Sequence, residues 1–140
     1  MEKETGKGKE YNNDKLKFDG EFLNGKRNGK GKEYNNDKLI FEGEFQNGER
    51  NGKGKEYVDG LLVYEGDFLN GKRNGKGKEF DKDIRLIFEG EYLNGKRLGN
   101  YQLYHNQKLE FEGEYSDDKR NGKAKVYDNI FEKKYLKENF

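Results

Sequence analysis

Apolar residues in this chain come in short bursts at alternate positions. In one of them Leu39, Phe41 and Phe45 alternate with acidic residues around Gly43, and a polar stretch rich in Asn, Gly, Lys and Arg follows. Such alternation predicts β-strands with one apolar side. The burst and its polar sequel recur. Copies open at Phe18, Phe41, Tyr64, Phe88 and Phe111, in steps of 23, 23, 24 and 23 residues. A fixed period in this range marks an array whose units cover one another. In the second copy the burst predicts a strand over about 39–46 and the sequel a second over about 53–57. Between them, Asn47 to Gly52 holds two Asn-Gly pairs, which suit the positive φ of tight hairpin turns. Proline is absent, so no strand is forced out of its ladder.

A four-residue loop with Asn47 opposite Gly52 sets Phe45 across from Gly54, Glu44 from Lys55 and Gly43 from Glu56. The same register pairs Glu21 with Lys32, Asp67 with Lys78 and Glu114 with Lys125, and sets Glu91 against Gln102. One face then carries Leu39, Phe41, Gly43, Phe45, Gly54 and Glu56, and the other Ile40, Glu42, Glu44, Gln46, Lys53, Lys55 and Tyr57. The first is an aromatic-glycine strip with a periodic carboxylate, and the second is largely a solvated ion-pair surface. A slip by one residue would exchange the faces of the second strand.

The recurring core reads aromatic-x-Gly-x-aromatic-x-x-Gly-x-x-x-Gly-x-Gly. It appears as Phe41, Gly43, Phe45, Gly48, Gly52 and Gly54, and again as Tyr64, Gly66, Phe68, Gly71, Gly75 and Gly77. This pattern resembles the MORN repeat (membrane occupation and recognition nexus). The second aromatic, usually Trp in that family, is Phe or Tyr here. The resemblance spans nearly the whole chain and implies a scaffold or an accessory interaction module.

The expected fold is all-β, an elongated, twisted single-layer antiparallel sheet of stacked β-hairpins. It forms one array over residues 1–140, with a partial repeat at 5–11 and repeats at 18–40, 41–63, 64–87, 88–110 and 111–127. A C-terminal cap at 128–140 follows. Residues 12–17 read as a polar connector, and the third connector has one extra residue within Asp81 to Ile87. The last stretch fits either a strand closing the sheet edge or a short amphipathic helix, with the strand favoured.

Composition changes this picture little. The 140 residues are 29% hydrophobic and 41% charged, which in a non-repetitive chain would indicate disorder. Aromatics at 14%, held in fixed phase, argue for order. A net charge of +1 gives no field for nucleic acid, and the absence of cysteine excludes disulfides and Cys-based zinc sites. No apolar run approaches the length of a membrane span, so a cytoplasmic location is expected, with membrane or cytoskeleton association as the variant.

Candidate chemistry is sparse. Gly52-Lys53-Gly54 lacks the following helix of a phosphate loop and recurs in other copies. Glu42 and Glu44 share a strand face, but the acidic pair repeats from copy to copy, whereas a catalytic pair would stand once. His105 is the sole histidine and reads as a connector residue. No catalytic residue, metal site or cofactor is expected.

Two surfaces remain. A single layer leaves part of the strip exposed, so Phe18, Phe22, Phe41, Phe45, Tyr64, Phe68, Phe88, Tyr92, Phe111 and Tyr115 form a partner site together with Glu33, Glu56 and Glu79. Leu103 and Val126 replace the carboxylate toward the C-terminus. A protein or peptide bearing Lys or Arg suits this strip, and a homodimer is the other occupant. The hairpin loops carry Lys26, Arg27, Arg50, Lys72, Arg73, Lys96, Arg97, Lys119 and Arg120, expected along one edge as a dock for acidic phospholipid.

Overall fold

The computed structural model describes residues 4–116, 119–128 and 133–138. They contain strands and turns and no helix. Contacts divide the chain at residues 72 and 73. The first unit holds β1 (Thr5–Asn12), β2 (Lys15–Leu23), β3 (Lys26–Asn35), β4 (Lys38–Gln46), β5 (Glu49–Val58) and β6 (Leu61–Leu69). The second holds β7 (Lys72–Phe80), which begins at the seam, then β8 (Leu86–Leu93), β9 (Lys96–His105), β10 (Lys108–Ser116), β11 (Lys119–Asp128) and β12 (Lys133–Glu138). Within each unit every strand pairs antiparallel with its neighbours in sequence, so each is an open run of consecutive hairpins. The C-terminal stretch is a strand, β12, beside β11. Phe131 and Phe140, which the helical alternative needed, lie outside the described residues.

The turns are tighter than the sequence pattern indicated. Asn47 and Gly48 alone make the β4–β5 turn, with φ of 49° and 87°. Positive φ at both positions is the two-residue turn whose twist matches paired strands. The connectors are turns of the same kind. Asn36 and Asp37, at φ 50° and 62°, join β3 to β4, and the 12–17 stretch is mostly strand around a turn at Asn13-Asp14. Among the connections that the described residues cover, only that between β7 and β8 is a longer loop, which takes up the extra residue. Its Asp81 carboxylate accepts the amides of Asp83 and Arg85 at 2.9 and 3.0 Å.

The shorter turn overturns the expected register. Gln46 pairs with Glu49 and Phe45 with Arg50, so β5 begins four residues before the expected strand. The register then shifts, and beyond the shift Gly43 faces Gly54, Glu42 faces Lys55 and Phe41 faces Glu56. Glu44 alone stands against Asn51, Gly52 and Lys53. The expected Glu44–Lys55, Glu21–Lys32 and Glu114–Lys125 pairs become Glu42–Lys55, Asp19–Lys32 and Glu112–Lys125. Glu89, not Glu91, faces Gln102. Glu44 instead closes the bulge, accepting the Lys53 amide at 2.7 Å, as Glu21 accepts that of Lys30 at 3.1 Å. Gly52 sits there at φ 104°, and a side chain on it would overlap the Glu44 carboxylate. The second Asn-Gly pair thus belongs to a bulge, not to the turn.

A shift of two residues keeps each side chain on its face, so Phe41, Gly43, Phe45, Gly54 and Glu56 do share one. Leu39 does not. A second bulge sets Leu39 opposite Tyr34 while Phe41 stays opposite Glu33, which moves Leu39 to the other face beside Ile40. That face carries a half-buried row of Tyr34, Leu39, Tyr57 and Leu62 next to its charges.

The ring and arginine face as candidate functional site

The rings form the core. Phe18, Phe41, Tyr64 and Phe88 are at most 1% exposed, and Phe45, Phe68, Tyr92 and Tyr115 at most 7%. Phe22 and Phe111 are half-buried. Of the aromatic strip expected to stay partly exposed, only Phe22 and Phe111 do, because three kinds of neighbour close around a ring such as Phe41. Below it lies glycine. A side chain on Gly54 would overlap the Phe41 ring and one on Gly31 the Phe18 ring, and Gly43 approaches Gly54 so closely that a Cβ there would lie 2.6 Å from its Cα. Beside it stand other rings edge-on, Phe18 at 5.0 Å from Phe45 and Phe41 at 5.0 Å from Phe68.

Above it lies arginine. Arg27, Arg50, Arg73 and Arg97 are strand residues, not loop residues as expected. The two-residue turn puts Arg50 opposite Phe45 and therefore on the ring face. Its guanidinium carbon lies 4.2 Å from the Phe41 ring centre, and the equivalents are 4.4 Å for Arg27 over Phe18 and 4.1 Å for Arg97 over Phe88. The periodic carboxylates hold these lids, and they stand on this face as expected. Glu33 binds Arg50 at 2.7 Å and lies 3.7 Å from Arg27, while Glu10 binds Arg27 at 3.1 Å. In the second unit Glu79 plays this part, 2.7 Å from Arg97 and 3.9 Å from Arg73. Glu33 and Glu79 side chains are 19% and 18% exposed, so water screens these pairs only in part. The Tyr92 hydroxyl donates to Glu79, and Arg97 donates to the Tyr115 hydroxyl at 2.9 Å. Burial, then the Glu79 carboxylate, pushes the Tyr92 pKa well above the usual tyrosine value. Burial opposes the Arg97 charge, but Glu79 outweighs it and raises the pKa.

Of the expected lipid-facing residues, Lys26, Lys72 and Lys96 are exposed at strand starts beside the turns, and Lys119 is exposed at the start of β11. Arg27, Arg50, Arg73 and Arg97 are committed to the rings, and Arg120 lies 5.4 Å from the Phe111 ring centre. Leu69 and Leu93, each just before a turn, are 46% and 50% exposed, apolar neighbours for these lysines that the sequence reading did not foresee. Leu103 faces Phe88 and Phe111 in the carboxylate's place, and Tyr101 fills a glycine position, stacked 6.2 Å from Phe88 with its hydroxyl buried and unpartnered. His105 sits in the strand pair beside a turn, opposite Lys108. Among the described residues no group of three or more potential ligands could hold a metal ion, and no helix is long and apolar enough to cross a membrane.

The geometry is that of a hairpin-repeat array, in which glycine, ring and arginine recur in register. The MORN repeat matches five times, over residues 18–38, 41–61, 64–83, 88–100 and 111–128, together more than half of the chain. The chain belongs to the MORN-repeat family. No curated protein matches it as a relative. MORN repeats are interaction and scaffold modules, generally without enzymatic activity.

Proposed function

We propose that this chain is a non-enzymatic scaffold that binds a protein segment, or a second copy of itself, along the ring face. The observation that carries the reading is the preorganised Glu10–Arg27–Glu33–Arg50 ladder, held over Phe18 and Phe41. The rings shape this face, and the edges of Arg27, Arg50 and Glu33, 19–22% exposed, together with the more exposed Glu10, are what a partner meets. Groups fixed before binding lose little entropy on association. Sedimentation velocity of the full chain, with cross-linking to capture a partner, tests it. Glu33→Gln with Arg50→Gln should abolish association while circular dichroism stays unchanged. Association that survives this change refutes the reading.

A second reading is docking to acidic phospholipid, and it draws on the exposed leucines beside the turn lysines, Leu69 before Lys72 and Leu93 before Lys96. Lysine charges near an anionic surface contribute about 1 kcal/mol each. Co-sedimentation with phosphatidylserine vesicles should be salt-sensitive and lost in the Lys26→Glu, Lys72→Glu, Lys96→Glu variant. Retained sedimentation removes this reading.

A further inference from the structure

On the face opposite the rings, the charge pattern of the array breaks at one strand. In the first unit that face alternates in sign from strand to strand. Lys32 registers between Asp19 and Glu42, and Lys55 between Glu42 and Glu65. The Lys32 Nζ lies 3.5 Å from Glu42, and Lys53 is bonded to Asp67. β9 holds the same place in its repeat as β5, yet it carries Asn100 and Gln102 where β5 carries Lys53 and Lys55.

The carboxylates on its flanks remain. Gln102 registers between Glu89 of β8 and Glu112 of β10, Asn100 beside Glu114, and Leu98 opposite Glu91. Lys78, Lys76 and Lys125 register on the outer sides of Glu89, Glu91 and Glu112. On β9 itself the cations are Lys96 and Arg97 at its start, and Arg97 lies on the ring face. The Tyr104 hydroxyl, which donates to Gln102 at 3.1 Å, senses the local field. Burial first, then Glu89 and Glu112, raise its pKa.

A change of another kind accompanies the lost lysines. In the second repeat Asn51 donates to Gln46 at 2.9 Å beside the hairpin turn. The same two places here are Leu93 and Leu98, 50% and 38% exposed. The family match to this repeat also ends at residue 100, the first of the two positions where β5 has lysine.

We infer that the ring-free face of β8–β10 is a docking surface for an extended protein segment with two cationic side chains two residues apart and an apolar residue two further on. The array itself supplies the template, since lysines occupy these slots in other repeats. Neighbouring strands lie about 4.8 Å to either side of β9, so one ammonium or guanidinium above Gln102 meets Glu89 and Glu112 together. Alternate residues on a strand are about 7 Å apart, the spacing of alternate residues in an extended partner lying over β9. The apolar residue falls on Leu93 and Leu98 at the end of this line. The pairing of charge with exposed leucine selects a polypeptide over a simple cation. The inference is independent of what the ring face binds.

The test uses the full chain and a fluorescein-labelled, end-blocked peptide reading Thr-Arg-Thr-Arg-Thr-Leu-Thr. Fluorescence anisotropy should show saturable binding, weakened at least about tenfold by Asn100→Lys with Gln102→Lys. That variant restores residues other repeats carry, and circular dichroism with a urea midpoint verifies its fold. Leu98→Asn should weaken binding less. Equal binding by the double variant, or of a peptide with Gln for both Arg, overturns the inference. Displacement by spermine as effective as by unlabelled peptide at equal charge also overturns it, revealing only a diffuse anionic field. So does light scattering in which the wild-type chain self-associates and the double variant does not, since the surface then belongs to a second copy.

Discussion

Arg50 lies over Phe41, its guanidinium carbon 4.2 Å from the ring centre, while its Nε donates to Glu33 at 2.7 Å. One side chain therefore covers a ring and neutralises a half-buried carboxylate. Arg50→Ala should cost about 2 kcal/mol in urea denaturation, because it uncovers the ring and leaves Glu33 with a weaker partner. Arg50→Lys should recover less than half of that, since an ammonium can neither stack nor form a planar fork. Full recovery by lysine would mean that charge alone matters here.

Two glycine changes should separate packing from backbone conformation. Gly54→Ala drives a methyl group into the Phe41 ring and should cost about 1–3 kcal/mol. Gly48→Ala meets no atom within 4 Å but sits at φ 87°, and should cost about 1 kcal/mol. Urea midpoints compared at equal slopes give the order, with Gly54→Ala the more damaging.

The two acidic residues of β4 should behave differently although they share a face. Glu44→Ala removes the acceptor of the Lys53 amide at the bulge and should cost about 1 kcal/mol. Glu42→Ala removes an exposed 3.5 Å pair with Lys32 and should cost about 0.5 kcal/mol or less. Equal losses would show that the bulge contact contributes nothing beyond surface charge.

Tyr92 should give the chain an alkaline limit. Its pKa is raised on folding, so its contribution to stability is complete below the ordinary tyrosine value of about 10 and is lost as pH rises through the folded value. Chemical denaturation from pH 8 upward should fall more steeply in wild type than in Tyr92→Phe. Ultraviolet titration of the tyrosines should show the late-ionising fraction reduced in that variant.

The repeat, the strands and the face of Phe41, Phe45, Gly54 and Glu56 were legible in the sequence, because period and alternation fix them directly, whereas the ring expected on Gly54 was Phe45 and the ring found there is Phe41. Arg50 was misplaced for a specific reason. Asn47-Gly48 and Asn51-Gly52 look alike as dipeptides, and only the three-dimensional ladder assigns one to a turn and the other to a bulge. Taking the first as a complete two-residue turn would have put Arg50 opposite Phe45. Exposure of the rings was misjudged because the lid over Phe41 comes partly from Glu33, in the preceding copy and eight residues away in sequence. Turns such as Asn36-Asp37 went unread because neither residue is glycine, although both adopt positive φ.

In each unit the hydrogen-bonded neighbours of a strand are the strands just before and just after it along the chain. A gene that gains or loses one whole copy therefore disturbs only the two seams at the insertion, and every other pairing survives. The length of such an array is therefore open to change by simple duplication, and each copy can vary on its own, as β9 does with Asn100 and Gln102 where β5 has Lys53 and Lys55.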